Sequence, residues 1–423
     1  MMGPMTPSDS PRRLDVDWCR RQFPGLGRQV DGRPAVFFDG PAGSQVPGRV
    51  IEAVRHYLTE MNANHGGLFE TSRRSDEMLA EAHRAVADLV GADDPDTVVF
   101  GPNMTTLTFA LSRALGKTWR PGDEVIVTRM DHDANVSPWV LAARDAGATV
   151  RHVSLRREDC TLDMDDLRAK LSARTRLVAI TAASNAAGTV NPVREICRLA
   201  HAYGALVFVD AVHHAPHRRM DVQAWGCDFL ACSAYKFFGP HVGVLWGRRA
   251  LLESLPAYKV RPAPDQLPGK WMTGTQNHEG IAGALAAVEY LAELGRRHRP
   301  EASGRRQALV AAFDTITAYE RALMGPLLAG LAQLEAIRVW GITEPHRLAE
   351  RVPTVAVTHR RLRPARLAER LAARGIFVWH GHFYALPLTE ALGLEPDGVV
   401  RIGLLHYNTA DEVQRLLDEL NSL

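Results

Sequence analysis

The 423-residue chain is 46% hydrophobic and 23% charged, the proportions of an ordinary globular protein, and its length calls for two or three structural units rather than one small core. Fifty basic residues against 48 acidic ones leave a net charge of only +2, which gives no footprint for nucleic acid. No run reaches the ~20 apolar residues of a membrane span, Met1 to Asp15 lacks the apolar core of a signal peptide, and the five cysteines (Cys19, Cys160, Cys197, Cys227, Cys232) have no Cys-x-x-Cys spacing that would suggest a disulfide framework or structural zinc; the expectation is a soluble cytoplasmic protein.

In chain order, residues 1 to about 30 read as an arm with one regular signal, Val16 to Phe23. Val36-Phe37-Phe38-Asp39 is strand-like and turns at Gly40-Pro41-Ala42-Gly43. Val50, Val54 and Leu58 predict a helix from Pro47 to Met61. Asn62 to Thr71 is polar and Gly-containing, either a loop beside a site or simply a loop. Ser75 is expected to cap a helix that runs through Leu89 and stops at Gly91.

An alternation follows: strand Val98 to Phe100, helix Thr105 to Leu115, strand Val125 to Val127, helix Pro138 to Ala146, strand Thr149 to Val153, a helical turn or two at Asp165 to Leu171, strand Leu177 to Ile180, helix Val193 to Tyr203, and strand Leu206 to Val209. Strands separated by helices imply a mainly parallel sheet covered on both faces, an α/β fold. Asp228 to Cys232 and Gly243 to Trp246 add two more strands, Pro256 to Pro268 reads as a loop, and a long Ala-rich helix begins near His278. Beyond Gly295 to Gly304 come helices with fewer strands (Ile337 to Trp340, Thr354 to Val357, Val399 to Ile402), which suggests a smaller α+β unit.

In such a sheet, ligands gather beyond the carboxyl ends of the strands. The groups delivered there include Asn103, Thr105 and Thr106, then His132 and Asn135, Asn185, Asp210 with His213, and Ser233 to Lys236. Adjacent threonines opening a helix make an anion site, since free N–H groups and hydroxyls face one point; alone they are an ordinary cap. Alone, too, Asp210 would be a strand-end cap and Lys236 a surface lysine, while no second histidine at metal-binding spacing follows His132. Together, a lysine for the aldehyde, an acid for the pyridine nitrogen, a flat ring to stack and donors for a phosphate are the parts that pyridoxal 5'-phosphate requires.

On these residues the chain resembles the aminotransferase class V proteins of pyridoxal-phosphate fold type I, and within them the cysteine desulfurases and their relatives. The carrying motifs are Phe38-Asp39-Gly40-Pro41-Ala42-Gly43, Asp131-His132-Asp133-Ala134-Asn135 with Pro138-Trp139, Ser184-Asn185, Val209-Asp210-Ala211, Ser233-Ala234-Tyr235-Lys236, Gly274-Thr275-Gln276-Asn277 and His406-Tyr407-Asn408-Thr409. The resemblance implies an arm over residues 1–35 packing on the small domain, a cofactor-binding large domain over 36–295 with a seven-stranded, mainly parallel sheet, and a small domain over 296–423. It implies that Lys236 forms the internal aldimine and moves protons, that Asp210 pairs with the pyridinium, and that His132 stacks on the ring. Asn185 would lie near the phenolic oxygen, with Thr105, Thr106 and Ser233 on the phosphate and His213 and Tyr235 also at the cofactor. Thr275 would reach the neighbouring subunit's phosphate, so a homodimer is expected. Arg401 would hold the α-carboxylate of an amino-acid substrate.

Some positions depart from the family. Tyr384, in Gly381-His382-Phe383-Tyr384-Ala385, stands where desulfurases carry a mobile cysteine, and no cysteine follows Cys232. His213 and Tyr235 replace a usual glutamine and histidine, and Trp379 lies near a position often held by arginine. With His382, Tyr384 and Trp379 facing the substrate, the expectation is cleavage of a Cβ bond by a lyase or desulfurase-like reaction. Decarboxylative aldol addition, epimerisation or cyclisation, transamination, and a noncatalytic cofactor-bearing scaffold are the alternatives.

Overall fold

In the computed structural model, which describes residues 14–423, seven short strands assemble into one sheet. The strands β1 (Val98–Gly101), β2 (Glu124–Thr128), β3 (Thr149–Val153), β4 (Thr175–Thr181), β5 (Leu206–Asp210), β6 (Phe229–Ser233) and β7 (Gly243–Gly247) lie in the order β1-β7-β6-β5-β4-β2-β3. From β6 to β3 every pairing is parallel, whereas β7 runs antiparallel to both β6 and β1. This is the mainly parallel seven-stranded sheet expected from the sequence.

Apart from the exposed edge strand β3, the strands are buried and mainly apolar because each face has its own core. Val98, Phe100, Ile126, Val178, Ile180, Val207, Val209 and Leu230 point into one, and Val99, Val125, Val127, Leu177, Ala179, Phe208, Phe229 and Ala231 into the other. The period of two thus survives as a division between two buried layers.

A second sheet, antiparallel, is made of β8 (Ile337–Trp340), β9 (Thr354–His359), β10 (Trp379–Gly381) and β11 (Val399–Gly403) in the order β8-β9-β11-β10. Val355, Val357, Val400 and Ile402 fill its core against Leu323, Leu327 and Leu331. Those leucines belong to a 30-residue helix, Gly304–Gln333, whose first half (Ala308, Leu309, Ala312, Phe313, Ile316) packs in the large core instead. One helix therefore serves both cores.

The first thirteen residues of the arm lie outside the described residues. The helix Val16–Gln22 sets Trp18 parallel to Tyr290 at 5.9 Å, and Arg20 Nη1 donates to Tyr407 O at 2.6 Å and to Glu412 at 2.9 Å. Val36–Phe37 pairs in parallel with Ile376–Phe377.

One local expectation is corrected. Ser75 caps nothing: the helix opens earlier, at Glu70 after Phe69, and Ser75 is buried inside it, sharing a 2.9 Å hydrogen bond with the Tyr57 hydroxyl. A tertiary partner occupies the hydroxyl that would otherwise satisfy a helix end. At the other end Gly91 closes the helix in the left-handed conformation, φ 74°, as its lack of a Cβ allows.

Candidate active site

The carboxyl ends of β4, β5 and β6 and the turn after β2 meet around a cavity lined by Thr105, His132, Asn185, Asp210, His213, Ser233, Tyr235 and Lys236, together with Asn103 and Met104. A second cavity opens beyond it, lined by His132, Asn185, Tyr235 and Lys236 on one side and by Trp379, His382, Tyr384 and Arg401 on the other. Thus twelve predicted residues converge from distant parts of the chain. Thr106 and Thr275 line neither cavity. Thr275 is exposed in the segment before the helix at His278.

Lys236 follows β6 in a short turn and is buried, its ammonium donating to the Pro41 carbonyl. Burial, reinforced by the charge of Arg401 and opposed by Asp210, draws its pKa from 10.5 down to about 7. Asp210 ends β5; burial raises its carboxyl to about 6, against the pull of the Val212 N–H, which donates to Oδ1 at 2.9 Å, and of Lys236. Such an acid accepts or shares a proton near neutrality.

His132 is held from beneath. Its Nδ1 accepts from Ala134 N at 3.0 Å, which leaves Nε2 to carry the proton of the neutral ring. Burial and nearby Lys236 lower its pKa to about 4, so the ring stays uncharged and free to stack. Below it, Trp139 Nε1 donates to Asn135 Oδ1 at 2.9 Å, Asn135 Nδ2 donates to Asp131 Oδ1 at 2.6 Å, and the Thr128 hydroxyl donates to the other oxygen of Asp131. This buried chain fixes the turn that carries the ring.

The helix Met104–Gly116 aims its N-terminus at the inner cavity. Its Met104 N–H donates to Ser233 Oγ at 3.0 Å and its Thr106 N–H to Asn103 Oδ1 at 2.8 Å, which leaves the Thr105 N–H for a ligand. The Thr106 hydroxyl is spent on Asn103 Oδ1 at 3.0 Å. Gly243 permits this approach, since a Cβ there would lie 2.4 Å from the Asn103 carbonyl carbon. Partial positive charge and an unpaired donor suit an anion such as a phosphate.

Arg401, on β11, crosses to the large sheet: Nη1 donates to Asn185 O at 2.8 Å, and the guanidinium lies 3.9 Å over the Phe383 ring. Burial lowers its pKa to about 9, and no carboxylate of the chain neutralises it within salt-bridge distance among the described residues. Its Nε and the Asn185 Oδ1 are buried without partners. His213 is buried and donates or accepts at Nε2 to Thr354 Oγ1, 2.9 Å away, so it links the two sheets. Burial drives its pKa well down. The residues therefore fit a planar, phosphorylated aldehyde: a desolvated amine, an acid, a neutral stacking ring, an anion site and unpaired polar atoms around one cavity.

Sequence reasoning passed over the Pro41 carbonyl that holds Lys236, the Phe383 ring that covers Arg401, and the Thr354 partner of His213. The Phe38 to Gly43 turn was itself a motif, but which of its carbonyls meets the lysine depends on the tertiary fold.

The aminotransferase class-V family model matches residues 36–416. A cysteine desulfurase of Dickeya dadantii is 33% identical, over 96% of this chain and 96% of that protein, and a probable cysteine desulfurase of Halalkalibacterium halodurans is 31% identical, over 95% and 96%. Among solved structures, the apo cysteine desulfurase of Thermococcus onnurineus superposes with a TM-score of 0.85 at 26% identity, covering 100% of this chain and 99% of that one. The cysteine desulfurase CsdA of Escherichia coli gives 0.81 at 27%, covering 97% and 98%. A match along nearly the whole chain, together with the site geometry, shows that this protein belongs to the aminotransferase class-V family, with pyridoxal 5'-phosphate as its cofactor and a desulfurase-like fold of type I.

Proposed function

We propose that the protein is a pyridoxal-phosphate-dependent lyase that cleaves a bond at Cβ of an L-amino acid without handing the leaving group to a protein thiol. The bound cofactor supplies an electron sink for charge developing at Cα. Lys236, with a pKa near 7, bonds the cofactor aldehyde and afterwards takes and returns the Cα proton. Asp210 holds a proton at the pyridine nitrogen, and His132 stacks on the ring. Thr105 and Ser233 hold the phosphate at the helix N-terminus, with Thr106 bracing Asn103 beside them rather than touching it, while Asn185, His213 and Tyr235 border the ring. Arg401 orients the α-carboxylate so that the breaking bonds align with the sink.

The observation that carries this reading is the placement of the thiols. All five cysteines are buried, and none lines either cavity. Burial pushes Cys19, Cys160 and Cys197 up to about 12 and raises Cys227 and Cys232 as well, so none offers a thiolate near neutrality. The loop position of Tyr384 carries a phenol instead.

A homodimer completes the proposal. Thr275 is exposed and lines neither cavity of its own chain, which suits a donor reaching the partner's phosphate. Free thiols fit a reducing cytoplasm, and no helix among the described residues is long and apolar enough to cross a membrane. The test is turnover of L-cysteine, L-cysteine sulfinate and β-chloro-L-alanine, followed by alkylation and mass spectrometry. Pyruvate or alanine without a modified cysteine is expected; a persulfide trapped on any of the five during turnover would sink the proposal.

A further inference from the structure

The outer cavity has a volume of about 710 Å³, far more than a thiol or a methyl side chain fills. Its outer wall is a run of rings, Trp379, His380, His382, Phe383 and Tyr384. Trp379 is 51% exposed and Tyr384 67% exposed, among the large apolar side chains left uncovered. Apolar surface left open at the mouth of a polar site is a contact waiting for an apolar ligand.

The wall is also fixed. Phe383 and Tyr384 both have positive φ, 54° and 57°, a conformation bulky residues adopt only when their surroundings impose it. Those surroundings are visible: the Asp133 N–H donates to Tyr384 O at 2.7 Å, Asn185 Nδ2 donates to Phe383 O at 3.0 Å, and the Tyr384 N–H donates to His382 Nδ1 at 3.1 Å. The Tyr384 ring is thereby set 5.3 Å from His132, tilted by 31°. A loop pinned at two points to the large sheet's turns, and braced by a third bond within itself, to display a ring suits recognition of a side chain rather than the carriage of a sulfur atom.

Charge narrows the ligand further. Apart from the histidines, the cations lining the outer cavity are Lys236, assigned to the cofactor, and Arg401, assigned to the α-carboxylate. No further arginine or lysine of this chain's described lining is left for an acidic side chain, and the one carboxylate there, Asp397, is paired with Arg363 at 3.0 Å. An aspartate or a sulfinate would bring a second negative charge to a wall of rings.

Resting on the lyase reading above, we infer that the preferred substrates are neutral S-aryl conjugates of L-cysteine, whose aryl group lies on the Trp379 and Tyr384 wall. The chemistry closes without a protein thiol. The Cα proton passes to Lys236, the Cβ–S bond breaks with its electron pair going to sulfur, and the arenethiolate takes up a proton. Water then converts the three-carbon enamine to pyruvate and ammonium, with no net oxidation or reduction.

The experiment uses the cofactor-loaded Lys236→Ala protein, which cannot turn over, titrated calorimetrically with S-phenyl-L-cysteine and with L-cysteine sulfinate. Pyruvate release by the wild-type protein is measured in parallel, with β-chloro-L-alanine as a small reference substrate. The aryl conjugate is expected to bind about tenfold or more tightly than the sulfinate, the size of one or two ring contacts. Its kcat/KM relative to β-chloroalanine should fall about tenfold in Tyr384→Ala and in Trp379→Ala, and be retained in Tyr384→Phe, which keeps the ring. Equal or reversed binding preference, with β-chloroalanine still converted, overturns the substrate assignment and leaves the lyase reading intact. Failure of every amino acid to yield pyruvate or alanine overturns the lyase reading itself.

Discussion

Replacing Lys236 by methionine in the cofactor-free protein removes a buried amine and, with it, a pH-dependent cost of folding. Burial lowers the Lys236 pKa from 10.5 to about 7, a difference worth roughly 5 kcal/mol. The sign follows from proton counting: between those values the unfolded lysine holds a proton that the folded one has released, so wild-type stability rises with pH. The cost is fully present below pH 7 and fades toward pH 10.5. Methionine has no such term, so Lys236→Met gains most at the low end of the window. From pH 7.5 to pH 10 the gap between variant and wild type should close by about 3 kcal/mol, or about 3 °C in Tm at ~0.9 kcal/mol/K for a chain of this length. The lost hydrogen bond to Pro41 does not depend on pH and cancels in that difference. Starting at pH 7.5 stays above the Asp210 value of about 6. Thermal melts of both dialysed proteins across the range supply the measurement. A gap that stays constant, or widens as pH rises, would refute a desolvated Lys236.

Arg401→Lys keeps the charge but loses the planar fork and its bond to the Asn185 carbonyl; KM for amino acids should rise about tenfold or more, in steady-state kinetics, with a smaller change in kcat. Asn103→Ala removes the side chain that caps the helix at the Thr106 N–H, which should cost about 1 kcal/mol in denaturant melts and speed cofactor loss on dialysis. Gly243→Ala drives a methyl group into the Asn103 backbone, 2.4 Å away; a loss of about 1–3 kcal/mol is expected, and cofactor absorbance after gel filtration should fall with it.

Much of this architecture could be read from residues. Short apolar runs with helices between them force a covered, mainly parallel sheet, and Asp210 and Lys236 stand where such strands end. The period-two division into two cores was hidden, because both faces of the inner strands are apolar. Strand order was hidden too: nothing local in Gly243 to Gly247 says that it inserts antiparallel between β6 and the edge strand β1. Ser75 had the chemistry of a cap, but Tyr57, brought near by folding, took its hydroxyl. Arg351 shows the same limit. It is buried and donates to the carbonyls of Ile342, Ala187 and Thr354 from three separate segments, and no spacing in the sequence announces that convergence.

Lys236 is the residue proposed to bond the cofactor. The chain has five lysines, Lys117, Lys170, Lys236, Lys259 and Lys270, and of these Lys236 alone lines the two site cavities. Borohydride reduction of the cofactor-loaded protein, followed by peptide mass mapping, tests this directly. The reduced adduct is expected on the peptide carrying Lys236 and nowhere else; an adduct on any other lysine, or one formed equally in Lys236→Ala, would contradict it.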